Sequence, residues 1–271
     1  MDDKPSPERK RSIREISIVR IVSLIFLLLI PLPFLTSVYR PGNLPGYIIA
    51  GAVQGALIAA AAWTLAKKRS DRAPAGFLIA NWIVTSLALN MDAPPRGAAW
   101  LATIPDQEFR YYALVAGGLI ALAGLALLAA RLRDAGERTC PVLAVTAAAV
   151  SQVLFTLSFL ALPHATTARF TYAARSGADP EWWAIVAAIL ASFGIVQRNL
   201  IYLAMILYAV SLRRAAFLGA RSTACLASLT ALLAVANMLV HIPPAVPLVL
   251  PYLAGVLLTV EQATGLPGRH S

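Results

Sequence analysis

WWAIVAAILASFGIVQRNLIYLAMILYAVSLRR, running from Trp182 to Arg214, is apolar for long enough to cross a bilayer, yet it carries Gln197-Arg198-Asn199 at its middle. A charge at that depth costs roughly 2.5–3.5 kcal/mol on insertion scales. Snorkelling offers little relief, because both helix ends lie about 20 Å from Arg198 at 1.5 Å per residue. Arg198 is therefore expected to face the inside of a helix bundle. On a helix it shares a face with Gly194, which leaves room beside the guanidinium, and with Tyr202, which offers a hydroxyl one turn on.

The rest of the chain agrees with a membrane setting. Of 271 residues, 59% are hydrophobic and 13% charged, against about 25% charged in a soluble domain, and the mean hydropathy is +0.71. The net charge of +10 does not indicate nucleic acid, because the basic residues form short clusters between apolar segments rather than one patch. Cys140 and Cys225 are the only cysteines and form no C-x-x-C, so neither redox chemistry nor a thiolate metal site is indicated.

At about 20 apolar residues per crossing, the sequence predicts an all-α polytopic bundle of eight spans. They are Ile16–Val38, Gly46–Ala66, Ala75–Met91, Tyr111–Ala130, Pro141–Leu162, Trp183–Leu212, Thr223–Val240 and Ala245–Val260. Residues 1–15 and 262–271 read as cytoplasmic tails flanking a transmembrane domain over 16–261. The first apolar run is about twice a signal-peptide core and lacks a cleavage site, so it reads as a retained span.

Orientation follows from charge. With the N-terminus inside, the cytoplasmic segments hold the basic residues from Lys4 to Arg14 and from Lys67 to Arg72, with Arg131, Arg133, Arg138, Arg213, Arg214, Arg221 and Arg269. The outer ones hold only Arg40, Arg96, Arg110, Arg169 and Arg175. This is the positive-inside pattern of a bacterial-type inner membrane protein with both termini cytoplasmic. The outer segments Asp92–Arg110 and His164–Trp182 read as long loops with interfacial aromatics.

Gly51-Ala52-Val53-Gln54-Gly55-Ala56-Leu57-Ile58 matches Gly194-Ile195-Val196-Gln197-Arg198-Asn199-Leu200-Ile201 as G-x-V-Q-x-x-L-I. Both helices end in a basic pair. The match suggests a 4+4 parallel tandem repeat with halves 16–131 and 141–261, placing Gln54 and Gln197 at one depth across a central axis. Gly51, Gly55 and Ala59, and likewise Ala113, Gly117 and Ala121, form small-residue ridges suited to close helix packing.

Two constellations are candidates for function. The first is a ligand-binding set at mid-membrane: Arg198, Gln197, Asn199, Tyr202, Gln54 and Asn81. No carboxylate lies near the middle of a span, so Arg198 must use backbone and amides, a small anionic or amphipathic ligand, or the carboxylate of a partner membrane subunit. The second is an outer-face set, Asp92, His164 and His241, which end three spans at one level and would suit an enzyme acting on membrane lipid. The remaining histidine, His270, lies in the cytoplasmic tail, so no three-histidine metal site can form. No cofactor is expected: no lysine lies within a span for a Schiff base, and H-E-x-x-H, G-x-S-x-G and Walker motifs are absent. The leading expectation is a carrier or receptor; an outer-face lipid enzyme and an accessory subunit of a larger complex stand beside it.

Overall fold

The computed structural model describes residues 43–66, 73–89, 91, 94–239 and 246–264, and among these every regular element is helical. In chain order they are α1 (Leu44–Ala66), α2 (Ala73–Leu89), α3 (Ala98–Ala102), α4 (Ile104–Asp134), α5 (Thr139–Ser176), α6 (Trp182–Arg214), α7 (Ala220–Leu239), a 3₁₀ turn (Val246–Leu248) and α8 (Val249–Thr264). Four of them, α4 to α7, are long and apolar enough to cross a membrane, while α1, α2 and α8 contain shorter apolar stretches. The chain is an all-helical membrane protein.

Local chemistry accounts for the helix ends. α4 begins with Pro105 and Asp106 in its first turn and finishes with Arg131 and Arg133, the charge order that a helix dipole favours. α5 ends at Gly177, whose φ of 75° is the left-handed cap conformation that glycine adopts freely. α6 finishes with Arg213 and Arg214. We call the end carrying these arginines the basic end, and the end carrying Trp100 and Trp182 the aromatic end.

α2 lies along α4, α5 packs against both α4 and α6, α6 against α7, and α8 back onto α2, which closes a ring; α1 sits outside it against α2. Glycines permit the closest approaches. Gly51 and Gly55 of α1 meet Leu87 and Ile83 of α2, while Gly117 and Gly124 of α4 meet Thr85 and Leu78. Two clusters make up most of the core, beside smaller ones around Trp82 and Tyr252 and around Tyr47 and Met91. Towards the basic end, Leu78, Leu125, Leu128, Met205, Tyr208 and Leu258 belong to one cluster. Towards the aromatic end, Trp100, Tyr111, Leu114, Phe155, Phe159 and Leu248 form another.

Several expectations need correcting. His164–Trp182 is not a loop: α5 runs unbroken through Pro163 to Ser176, leaving only 177–181 as the turn. Packing supports the extension, since Trp100 Nε1 donates to Thr167 Oγ1 at 2.9 Å and its ring lies 6.0 Å from that of Phe170. Asp92–Arg110 likewise contains α3 and the first two turns of α4. The 262–271 tail begins later than expected, because α8 continues to Thr264. The span at Ile16–Val38 and the tail at 1–15 lie outside the described residues. Packing lends the tandem repeat no support: α2 and α4 are paired along their length, whereas their counterparts α7 and α8 meet at few places.

Burial along α6 and α7 is uneven. Nothing in residues 182–193 is buried, and the buried stripe of α6 starts at Gly194. On α7 only Leu226 and Thr230 are buried. The tie between α7 and α8 is a side chain: Glu261 accepts hydrogen bonds from Gly219 N at 3.1 Å and Ser222 Oγ at 2.6 Å, capping the start of α7 from a neighbouring helix.

Candidate functional site

Close contacts place the polar residues of successive helices at one height. Gly51 against Leu87 and Gly55 against Ile83 set Gln54 opposite residues 84–85 of α2. Thr85 meets Gly117, and Gln152 of α5 meets Gly118. Ser151 Oγ then donates to the Gln197 carbonyl at 2.8 Å. Gln54, Thr85, Ser151, Gln152, Gln197 and Arg198 thus stand in one polar layer, with Asn81 one turn nearer the basic end. The layer separates the two apolar clusters. Arg198 lies about 24 Å from either end of α6 at 1.5 Å per residue.

Most of this layer is buried. Gln54, Asn81, Gln197, Arg198 and Tyr202 are all at most 4% exposed. Some members are satisfied locally: Asn81 Nδ2 donates to Leu78 O at 2.8 Å, and Gln152 Nε2 donates to Thr156 Oγ1 at 3.2 Å. Others are not. Arg198 Nε, Tyr202 Oη and Gln197 Oε1 are buried and find no hydrogen-bond partner among the described residues. Arg198 forms no ion pair with any described residue. A buried polar group left unmade costs about 1–3 kcal/mol, and more for a charged one.

The members do not all converge. Asn199 is exposed, because one residue turns the helix by 100° and carries it off the buried arc that holds Gln197 and Arg198. The α1 helix bearing Gln54 packs on α2 and α8, away from the extensive neighbours of α6. A narrow cleft opens at this height between α4, α5, α6 and the start of α8, lined by Gly118, Ser151, Gln152, Gln197, Leu248 and Pro251 among others. Its free volume of ≈ 10 Å³ accommodates about one water molecule. Gln197 lines it; Arg198 and Tyr202 do not.

Of the outer-face set, Asp92 and His241 lie outside the described residues. His164 is exposed, with Nε2 at 3.4 Å from Tyr112 Oη. No group of three metal-ligating side chains occurs among the described residues.

Two features at the aromatic end escaped sequence reading. Asp106, Gln107 and Arg110, assigned to a loop, lie buried in the first turns of α4. The spacing of Asp106 and Arg110, one turn apart behind a helix-starting Pro105, was the available signal. At the tip of the α5–α6 hairpin, Arg169 Nε donates to Asp179 Oδ1 at 2.8 Å, and its guanidinium lies 4.7 Å from the Trp183 ring centre. The hydrogen bond from Arg169 holds the Asp179 carboxyl below its usual range.

Compared with known proteins, the chain matches no family model, no curated protein and no solved structure.

Proposed function

We propose that this protein is an eight-span inner-membrane carrier or receptor, with both termini cytoplasmic, that binds a small anionic or amphipathic molecule beside Arg198. The observation that carries the reading is a guanidinium 4% exposed, at the mid-length of α6, with no ion pair among the described residues and a buried Nε that finds no partner. Tyr202 Oη, also unpartnered, adds a neutral donor one turn away. Together they offer an anion a charge-assisted bond and a second, neutral one, in a setting where water competes poorly. Gln197 supplies an acceptor at the same height.

The test is anion binding to the purified protein in lipid nanodiscs, read by thermal stabilisation across a panel of carboxylates and phosphates. Arg198→Lys keeps the charge but loses the planar fork, and should weaken binding about tenfold. Arg198→Met should abolish it while the protein still inserts, because insertion is cheaper without the charge. A Met variant with full affinity refutes the reading. A protein that binds no anion but co-purifies with a second membrane chain through Arg198 would instead be an accessory subunit.

A further inference from the structure

The anion proposal leaves open what the rest of the ligand is, and the shape of the bundle around Arg198 limits the answer. The cleft at that height accommodates about one water molecule. Arg198 is not among its lining residues. That cleft has no room for the body of an organic ligand, whereas a head group can reach the guanidinium from the side.

The edge of α6 that carries Arg198 shows where that side lies. Towards the basic end, the residues continuing this edge are closed in: Tyr202 is 2% exposed, Met205 0% and Ala209 1%. Towards the aromatic end, beyond buried Gly194, the same edge is uncovered. Ile195 is 51% exposed and Ala191 is also exposed. Arg198 stands where one regime gives way to the other. Helical side chains lean back over the preceding turn, which directs the Arg198 guanidinium towards Gly194 and Ile195.

The neighbouring helix behaves in the same way. Beyond Thr230, α7 buries nothing, and Leu232, Val235 and Met238 are 64%, 54% and 79% exposed. Asn237, about 25 Å along α7 from its start against about 24 Å for Arg198 from the end of α6, stands at the same height. Its Oδ1 is buried without a partner. The flank leading to Arg198 is therefore apolar, and its inner end holds a charged donor, a phenol and an amide, each with one buried polar atom that finds no partner among the described residues.

We infer that the ligand is a single-chain anionic amphiphile that reaches Arg198 laterally from the bilayer, its head group between α6 and α7 and its chain along the Ile195 flank. The inference rests on the anion reading above and selects the amphipathic alternative within it. Charge complementarity fixes the head group as an anion. The apolar flank of α6 and the narrowness of the cleft beside Gln197 place the tail outside, against side chains a hydrocarbon chain wets.

The experiment uses the full chain in detergent, with dodecanoate, butyrate and dodecanol as probes, and measures binding by native mass spectrometry and thermal shift. Dodecanoate should bind at least tenfold more tightly than butyrate or dodecanol. Arg198→Met should reduce dodecanoate to the level of dodecanol. Ile195→Trp, at an exposed position away from the core, should weaken dodecanoate at least fivefold and leave butyrate unchanged. If butyrate binds as tightly as dodecanoate and both are lost in Arg198→Met, the amphiphile inference is overturned while the anion reading stands. If dodecanoate binding is unaltered in Arg198→Met, both fall. Should the Met variant not fold, an Ile195→Trp protein with unchanged dodecanoate affinity overturns the lateral route on its own.

Discussion

Gly117 offers the sharpest test of how the polar layer is held. A Cβ built there would stand 2.2 Å from Thr85 Oγ1, 3.1 Å from the Asn81 carbonyl oxygen and 3.2 Å from Thr85 N. The hydroxyl can swing aside, at the expense of its long 3.5 Å contact with Asn81 Oδ1. The two backbone atoms cannot, so α2 and α4 must separate by several tenths of an ångström. Overpacking of this kind costs about 1–3 kcal/mol, and Gly117→Val, with two further methyls, should sit at or above the upper end. That corresponds to roughly a 150-fold loss in the folded-to-unfolded ratio, at 1.4 kcal/mol per factor of ten. The control is Gly76 on α2, around which a Cβ meets nothing within 4 Å. Reversible unfolding in mixed micelles, compared for Gly117→Val, Gly76→Val and the parent, reads the difference. A Gly117→Val protein as stable as Gly76→Val would show that α2 and α4 do not approach as described.

Other expectations are readily checked. For Gly118→Ala the nearest neighbour is the far end of the flexible Gln152 side chain, at 2.4 Å from Oε1, so it should cost well under the Gly117 change, about 1 kcal/mol or less; a larger loss in the same unfolding assay would mean Gln152 cannot move. Glu261→Ala removes the acceptor that caps α7, which should cost about 0.5–2 kcal/mol and raise hydrogen exchange at Gly219 and Thr223; unchanged exchange would argue against the cap. Because Arg169 lowers the Asp179 pKa below 3.8, the stabilisation is complete above that value and is lost as pH falls through the lower folded one. Proteolysis at 177–181 should therefore be slow at neutral pH and rise only in strong acid, whereas Asp179→Asn should be cleaved equally at both. For topology, cytoplasm-dependent reporters fused after Arg72, Arg138 and Arg214 should be active and those at Arg96 and Gly177 silent; activity at Gly177 would break the eight-span proposal.

Much of the architecture was legible because membrane helices must satisfy their own backbone and must be long. α1, α2, α6 and α7 were placed to within a few residues on length and apolarity, while α4 starts two turns before the expected span. The burial of Arg198 followed from what exposure to lipid would cost. What was missed depended on partners. Pro163, His164 and Arg169 look like a loop in isolation, yet Trp100 and Asp179 stabilise the helical continuation of α5. Asn199 was grouped with Arg198 by adjacency, although helical rotation alone could have separated them. The one-water cleft could not be foreseen, since it depends on how closely Gly118 lets Gln152 approach.

The sparse burial of α7 has an evolutionary consequence. A helix that buries only Leu226 and Thr230 can exchange its exposed apolar side chains, such as Leu232, Val235 and Met238, for almost any others that lipid accepts. Its sequence can drift fast while its shape persists. Gly117, Gly124 and Gly255 have no such freedom, each being closed in by neighbouring side chains and backbone. Distant relatives of this chain would therefore keep Gly117 and Gly124 of α4 and Gly255 of α8 long after overall identity has faded, and a search weighted to those positions would find kinship that α7 has erased.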